Sequence, residues 1–579
     1  MDMKTLKRML VYCHPYRYLI GVSLLLALCS VVLSLVLPIM IGNTIDLMIG
    51  VNQVNMRKVI YQLGVILVIV LLNALTQWIM TRCTNKVTYQ SVRDLRRDFF
   101  SKIHSLPLKY IDSKTQGDLI NRVINDIDLI GDGLLHGFAS LLTGVLSIIG
   151  TIGFMVSINA SVALVVILLT PISLFVASYI AKKTFSLFRD QLDLRSELSG
   201  FVEESMTNLK LIKAFNYEEN MKDRYIEINQ RMNDNGVKSQ FASALINPST
   251  RFVNNLVYMA VGVVGGIMVV NGHFTIGQLS SFLTYATQYT KPFNEISSVI
   301  AELQTAVASA QRVFNVIDEE NEEDTGKLHR KADEVVGHIV FDDVSFSYQE
   351  EKPFIEHLDI DAKPGARIAL VGPTGCGKTT IINLLMRFYE VNSGRICVDN
   401  KDIVDLTREN LRSHFGMVLQ DTWLFKGTIK ENIAYGNASA SDEEIIEASK
   451  LAHAHDFIER LVQGYDTVVE ENGGNISEGQ RQLLCIARIM VSKPSILILD
   501  EATSSIDTRT EKLIQEALNR IMQGRTSFIV AHRLSTIKNA DQILVLKDGA
   551  IIESGTHISL LEQNGFYHEL YYSQFAASE

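Results

Sequence analysis

Hydrophobic positions fall along this chain in two different rhythms. Over residues 1–320 they form long unbroken runs, near 18–40, 59–80, 134–156, 160–181, 252–270 and 277–298. Each is close to the roughly 20 helical residues that cross a bilayer, so the pattern predicts six membrane-spanning helices. Leu24–Met40 and Leu134–Ala181 contain no Asp, Glu, Lys or Arg. Soluble core helices rarely stay uncharged for so long. The sixth run is more polar, carrying Gln278, Gln288, Lys291 and Glu295; a polar helix at membrane depth faces a bundle interior or a water-filled path. From residue 335 short β-type runs alternate with helical ones, the mark of an α/β domain. The predicted layout is an all-α membrane domain over 1–320, an acidic linker over 321–334 and an α/β domain over 335–579.

The polar stretches between runs set an orientation. Residues 82–133 hold Arg82, Lys86, Arg93, Arg96, Arg97, Lys102, Lys109, Lys114 and Arg122, whereas 157–159 and 271–276 hold no Lys or Arg. Basic loops stay inside, which predicts that both termini are cytoplasmic. Segments 82–133 and 182–245 keep helical periodicity, so the membrane helices are expected to extend far past the bilayer. Breaks at Leu106–Gly117 and Phe215–Glu218 would make each pair a lever with a short element at its tip. Lys291 and Glu295 are four apart on one helix face. Lys291 lies 14 residues past Gly277, roughly 21 Å at 1.5 Å per residue, and Arg251 falls near the same level. The reading is an inner-gate or interfacial network in preference to a ligand-binding pair at a substrate site.

Chemistry concentrates in the second half. The buried-strand run Arg367–Val371 feeds Gly372, Pro373, Thr374, Gly375, Cys376, Gly377, Lys378, Thr379 and Thr380, a complete G-x-x-x-x-G-K-[ST]. Glycines let backbone N–H groups close around phosphates, and the following helix aims its positive end at them. Lys378 would bridge the β- and γ-phosphates and Thr379 would bind Mg²⁺. A second apolar run, Ile496–Leu499, ends in Asp500 and Glu501. Asp500 suits Mg²⁺ and Glu501 suits a base that orients water.

Composition narrows the field. The chain has 579 residues, 47% hydrophobic, a mean hydropathy of +0.15 and a net charge of -10. The average conceals two halves: residues 1–320 carry 28 Lys and Arg against 24 Asp and Glu, leaving 26 against 40 in the rest. No clustered positive surface suits nucleic acid. The cysteines, Cys13, Cys29, Cys83, Cys376, Cys397 and Cys485, include no C-x-x-C pair, which argues against a disulfide framework or a zinc site.

In these motifs the chain resembles ATP-binding-cassette (ABC) transporters. Ile476-Ser477-Glu478-Gly479-Gln480 is similar to the family's signature motif. Gln420 resembles its Q-loop residue, with a further role in holding Mg²⁺, and Ser504 to Asp507, including Ser505, its D-loop. His532 resembles the switch histidine and Tyr348 the aromatic that stacks on adenine. The resemblance extends over essentially the full chain and implies an exporter-type half-transporter. Its α/β part would be a P-loop ATPase with an ABC-type helical subdomain, and its cofactors ATP and Mg²⁺. Two such chains would sandwich ATP between one chain's phosphate loop and the other's signature, Ser477, Glu478, Gly479 and Gln480. Hydrolysis would drive outward movement of an amphipathic drug-like compound, lipid or peptide across the cytoplasmic membrane.

Two positions depart from the family's Leu-Ser-Gly-Gly-Gln: Ile476 replaces Leu, a minor change, and Glu478 replaces the first Gly. Glu478 puts a carboxylate where a helix start should face a phosphate. Beside an intact Lys378, Thr379, Asp500, Glu501 and His532, this resembles the competent subunit of heterodimeric multidrug exporters, so a second half-transporter is the expected partner. A homodimeric exporter, or an ATP-gated channel or sensor on the same scaffold, is the alternative.

Overall fold

The computed structural model describes residues 2–49, 54–349, 352–419, 422–470, 473–500, 506–530 and 537–574. The chain forms two compact units, Met1–His104 with Thr115–Glu319, and Ser105–Lys114 with Glu320–Glu579.

The first unit is helical. Its elements are α1 (Met3–Cys13), α2 (Arg17–Asp46) and α3 (Met56–Ser105), then, beyond the short α4 (Leu108–Asp112) of the second unit, α5 (Gln116–Asn121), α6 (Ile127–Ile158), α7 (Ala160–Thr207), α8 (Leu209–Ala214), α9 (Glu218–Ala244), α10 (Ile246–Val270) and α11 (Ile276–Ile317). Among the described residues, Met3–Asp46, Met56–Ser105 and Arg251–Val270 are long and apolar enough to cross a membrane, and Thr143–Ile158 is a shorter apolar stretch. Helix α3 has 50 residues, about 75 Å at 1.5 Å per residue, against a hydrocarbon core of about 30 Å. The expected long extensions are therefore present in α3, and in α7 with 48 residues.

Tight seams hold the bundle. Gly42 of α2 lies so close to Gly277 of α11 that a Cβ on either would collide with the other's backbone. Asp46 caps α11, accepting from the Gly277 N–H at 2.7 Å and the Thr275 hydroxyl at 2.7 Å. Ser281 donates to the Pro38 carbonyl at 2.8 Å. Buried Asp126 is paired with Arg312 of α11. The two tip breaks occur where expected: Pro107 starts α4, and 215–217 separate α8 from α9. Arg251 and Lys291 are exposed in this unit; the side chain of Glu295 lies outside the described residues.

The second unit is α/β. A four-stranded antiparallel sheet has the order β2-β1-β4-β5, from β1 (Ile339–Phe346), β2 (Ile355–Ala362), β4 (Ser393–Val398) and β5 (Lys401–Asp402). A six-stranded sheet has the order β12-β11-β3-β10-β9-β6, from β3 (Arg367–Val371), β6 (Phe415–Val418), β9 (Ile496–Asp500), β10 (Thr526–Val530), β11 (Gln542–Lys547) and β12 (Ala550–Gly555). Strands β6, β9, β10, β3 and β11 are parallel, and only the edge strand β12 is antiparallel. Strand β10 is buried along its whole length, as a parallel strand covered on both faces should be. Helix α12 (Lys378–Leu385) follows β3 and α13 (Arg408–Ser413) precedes β6. A helical layer of α14 (Ile429–Ala434), α15 (Asp442–Leu451), α16 (His455–Glu459) and α17 (Glu478–Ser492) packs with α18 (Thr508–Met522) around Ile433, Leu484, Ile486 and Ala487.

Candidate nucleotide site

Four parallel strands deliver the chemistry to one edge of the sheet. Leu370 pairs with Val530, Val530 with Asp500, and Leu499 with Val418. Their carboxyl ends lie side by side, where open α/β sheets bind ligands. Strand β3 continues into the phosphate loop. Gly372 has φ 156° and Gly377 φ 110°, backbone that an L side chain rarely adopts. A Cβ at Gly372 would also strike the Leu546 carbonyl of β11. Gly377 is the N-cap of α12, so the loop runs directly into a helix start. The Lys378 ammonium donates to the carbonyls of Gly372 at 2.7 Å and Pro373 at 3.0 Å, which holds it across the loop. Cys376 is buried beneath, its sulfur 3.8 Å from that ammonium. Pro373, Thr374 and Gly375 are exposed at the rim.

An aromatic platform flanks the loop. The Tyr348 hydroxyl lies 3.0 Å from that of Thr380. Its ring meets Phe346 at 4.8 Å and Tyr389 at 5.2 Å, both edge-on, and Phe354 at 5.9 Å. Tyr348 was legible in the sequence. Tyr389 and Phe354 were not, because nothing in local spacing joins residues that meet only through β1, β2 and the α12–β4 connection. Burial, aided by a hydrogen bond to Asp112, raises the Tyr389 phenol well above its ordinary pKa.

Asp500 ends β9 half-buried. Glu501, Ser504, Ser505, His532 and Gln420 lie outside the described residues, but the strands leading to Gln420, Glu501 and His532 end next to one another. The donors fit Mg²⁺: Thr379, exposed on the first turn of α12, offers a hydroxyl and Asp500 a carboxylate. These are hard oxygen ligands. That suits an ion bound through few protein groups plus substrate phosphates. When bound it would neutralise charge on the phosphoryl oxygens.

The signature segment forms a helix start. Ser477 caps α17, its hydroxyl accepting from the Gln480 N–H at 3.3 Å while the Gln480 side chain accepts from the Ser477 N–H at 3.1 Å. This reciprocal capping box satisfies donors that an α-helix otherwise leaves bare. Glu478 is exposed on that first turn. Gly479 is buried, and a Cβ there would collide with Thr510 of α18. Asp507 caps α18 through the Arg509 and Thr510 N–H groups at 3.1 and 3.0 Å. Those bonds, the Thr510 N–H first, lower its pKa.

Comparison with known proteins agrees with this geometry. The ABC transporter transmembrane region model matches residues 20–293, and the ABC transporter model matches residues 355–504. A fatty acid ABC transporter ATP-binding/permease protein of Mycobacterium bovis is 42% identical over 530 residues, covering 91% of this chain and 84% of that protein. The chain belongs to the ABC transporter family. The putative multidrug export ATP-binding/permease protein YgaD of Bacillus subtilis is 33% identical, covering 98% of this chain and 99% of its own. The solved structure of a bacterial Atm1-family ABC exporter with ATP bound superposes with a TM-score of 0.77 at 28% identity, covering 100% of both chains. An exporter-type ABC half-transporter, with membrane helices and ATPase in one chain, is therefore a multi-pass membrane protein whose ATP hydrolysis is coupled to transport.

Proposed function

We propose that this chain exports an amphipathic molecule, a lipid or a drug-like compound, by alternating access, and that it supplies the hydrolysing Walker side of a heterodimer. Its termini and ATPase then lie in the cytoplasm. Lys378 and the loop from Gly372 to Thr380 hold the ATP phosphates, Tyr348 stacks on the base, and Thr379, Asp500 and Gln420 hold Mg²⁺. Glu501 orients the attacking water and His532 contacts the γ-phosphate. The observation that carries the asymmetry is Glu478, exposed on the first turn of α17. A carboxylate there competes for the helix end that should receive a partner's phosphate. Relatives described as a fatty acid transporter and a putative multidrug exporter support an amphipathic substrate.

The test is ATP-dependent uptake into inside-out membrane vesicles, using a fluorescent long-chain fatty acid and a hydrophobic cationic dye as probes. Accumulation of either that Glu501→Gln abolishes is expected. Nucleotide-dependent leak that survives Glu501→Gln would instead support an ATP-gated channel.

A further inference from the structure

The acidic stretch after α11 has the composition of a solvated tether. Within the second unit it is instead bonded along the nucleotide-binding domain. Lys327 and Leu328 donate their N–H groups to the Asp405 carbonyl at 2.9 and 3.0 Å, and Leu328 forms a β-bridge with Leu406. Gly326 passes so close that a Cβ would strike the Leu406 carbonyl. Arg330 and Asn410 exchange two hydrogen bonds, each 2.8 Å.

The head of this strap is a clasp. The Glu322 carboxylate receives Arg408 at 3.1 Å and Arg412 at 3.0 Å. The same guanidinium groups cover the far end of the phosphate-loop helix. Arg412 donates to the carbonyls of Met386 at 3.3 Å and Arg387 at 3.1 Å, and Arg408 donates to Arg387 as well. Helix α12 has eight residues, so this end lies about 12 Å from the phosphate end along a rigid rod. On its other side the strap grips Ser105: the Glu322 N–H donates to the Ser105 carbonyl at 2.8 Å, and the Ser105 hydroxyl to Asn321 at 3.0 Å. Ser105 opens the segment Ser105–Lys114, which the Tyr389 hydroxyl also holds through Asp112 at 2.5 Å.

We infer that Glu322 is a positioning residue: its clasp on Arg408 and Arg412 makes Ser105–Lys114 follow the phosphate-loop helix when nucleotide binds. A helix that tilts at its phosphate end must swing its other end, and the guanidinium groups bound there carry Glu322 with them. Glu322 and Arg408 have only 22% and 10% of their side chains exposed, so water screens this pair weakly and loss of one partner is felt by the other. The inference rests on the reading of Gly372–Thr380 as the ATP site.

The experiment is hydrogen exchange on the full-length transporter in nanodiscs, with and without a non-hydrolysable ATP analogue and Mg²⁺. The native protein should show protection at 372–380 and a coupled change in exchange at 105–114. Glu322→Gln should keep the first, with ATP KM within about twofold of native, and lose the second. Glu322→Asp, which keeps the charge, should restore it. Gly326→Val, which prises up the strap and leaves the clasp charges in place, should lose it too. A response at 105–114 that persists in Glu322→Gln overturns the inference. So does loss of protection at both places in Glu322→Gln, which would make the clasp a structural brace. Absence of protection at 372–380 in the native protein would instead overturn the ATP-site reading beneath it.

Discussion

Under the proposed function, this chain offers nucleotide two faces of unequal quality. On the phosphate-loop side every element reinforces the next: strand β3 feeds glycines in positive-φ backbone, Lys378 is held across the loop, and Asp500 ends β9, one strand beyond β10. On the signature side the scaffold is as well built, with a full capping box at Ser477 and a glycine packed hard on α18. The departure that reaches the exposed surface is Glu478; Ile476, the other, is buried. The lesson is that helix architecture and anion-binding chemistry are separable. α17 is shaped by Ser477, Gly479 and Gln480, whereas under the proposed function its affinity for a negative ligand would be set by Glu478 between them.

The largest test acts on the complete side. Glu501→Gln should lower ATP turnover by about 10²-fold or more, the usual contribution of a positioned base, with ATP binding retained; retention of more than about a tenth of activity would contradict the assignment. Next, Tyr348→Ala should raise the KM for ATP by roughly tenfold, since base–aromatic stacking is worth about 1–3 kcal/mol, and Tyr348→Phe should restore it because only the ring face is used. On the other side, Gly479→Val should lower thermal stability by about 1–3 kcal/mol, the cost of forcing extra carbons against Thr510, measured as a drop in Tm. The smallest effect is the most discriminating. Glu478→Gly should raise ATPase of the chain purified alone by about two- to fivefold, matching the roughly 0.3–1 kcal/mol by which a helix end favours or resists a charge.

How much of this could be read from the chain depended on whether the signal was local. The phosphate loop occupies nine consecutive residues, 372–380, and Asp500 ends a run of apolar residues, so both were visible before any fold was known. The long helices were legible because their apolar runs pass into amphipathic stretches without a break in period. Tyr389, Phe354 and the Glu322 clasp were hidden for the opposite reason. Tyr389 and Glu322 acquire meaning only from partners dozens of positions away, and Phe354 from the β1–β2 pairing that folds it back onto Tyr348, six residues earlier. Arg408 and Arg412, for instance, read as ordinary surface charge on a short helix until they are found bonded to the end of α12 and to Glu322. Within the acidic stretch Glu322 is half-buried against Arg408 and Arg412, a pairing that composition does not show.

By the proposed function, hydrolysis belongs to this chain's phosphate-loop side and needs a signature supplied by a different partner. Vanadate trapping of nucleotide in the full-length transporter measures it most directly, comparing the chain purified alone with the chain assembled with a half-transporter that carries an intact Leu-Ser-Gly-Gly-Gln. The prediction is weak trapping alone and strong trapping in the mixed assembly, with label cross-linked to the Gly372–Thr380 loop of this chain. Full turnover by the chain alone, with both of its sites trapping nucleotide equally, would contradict the account.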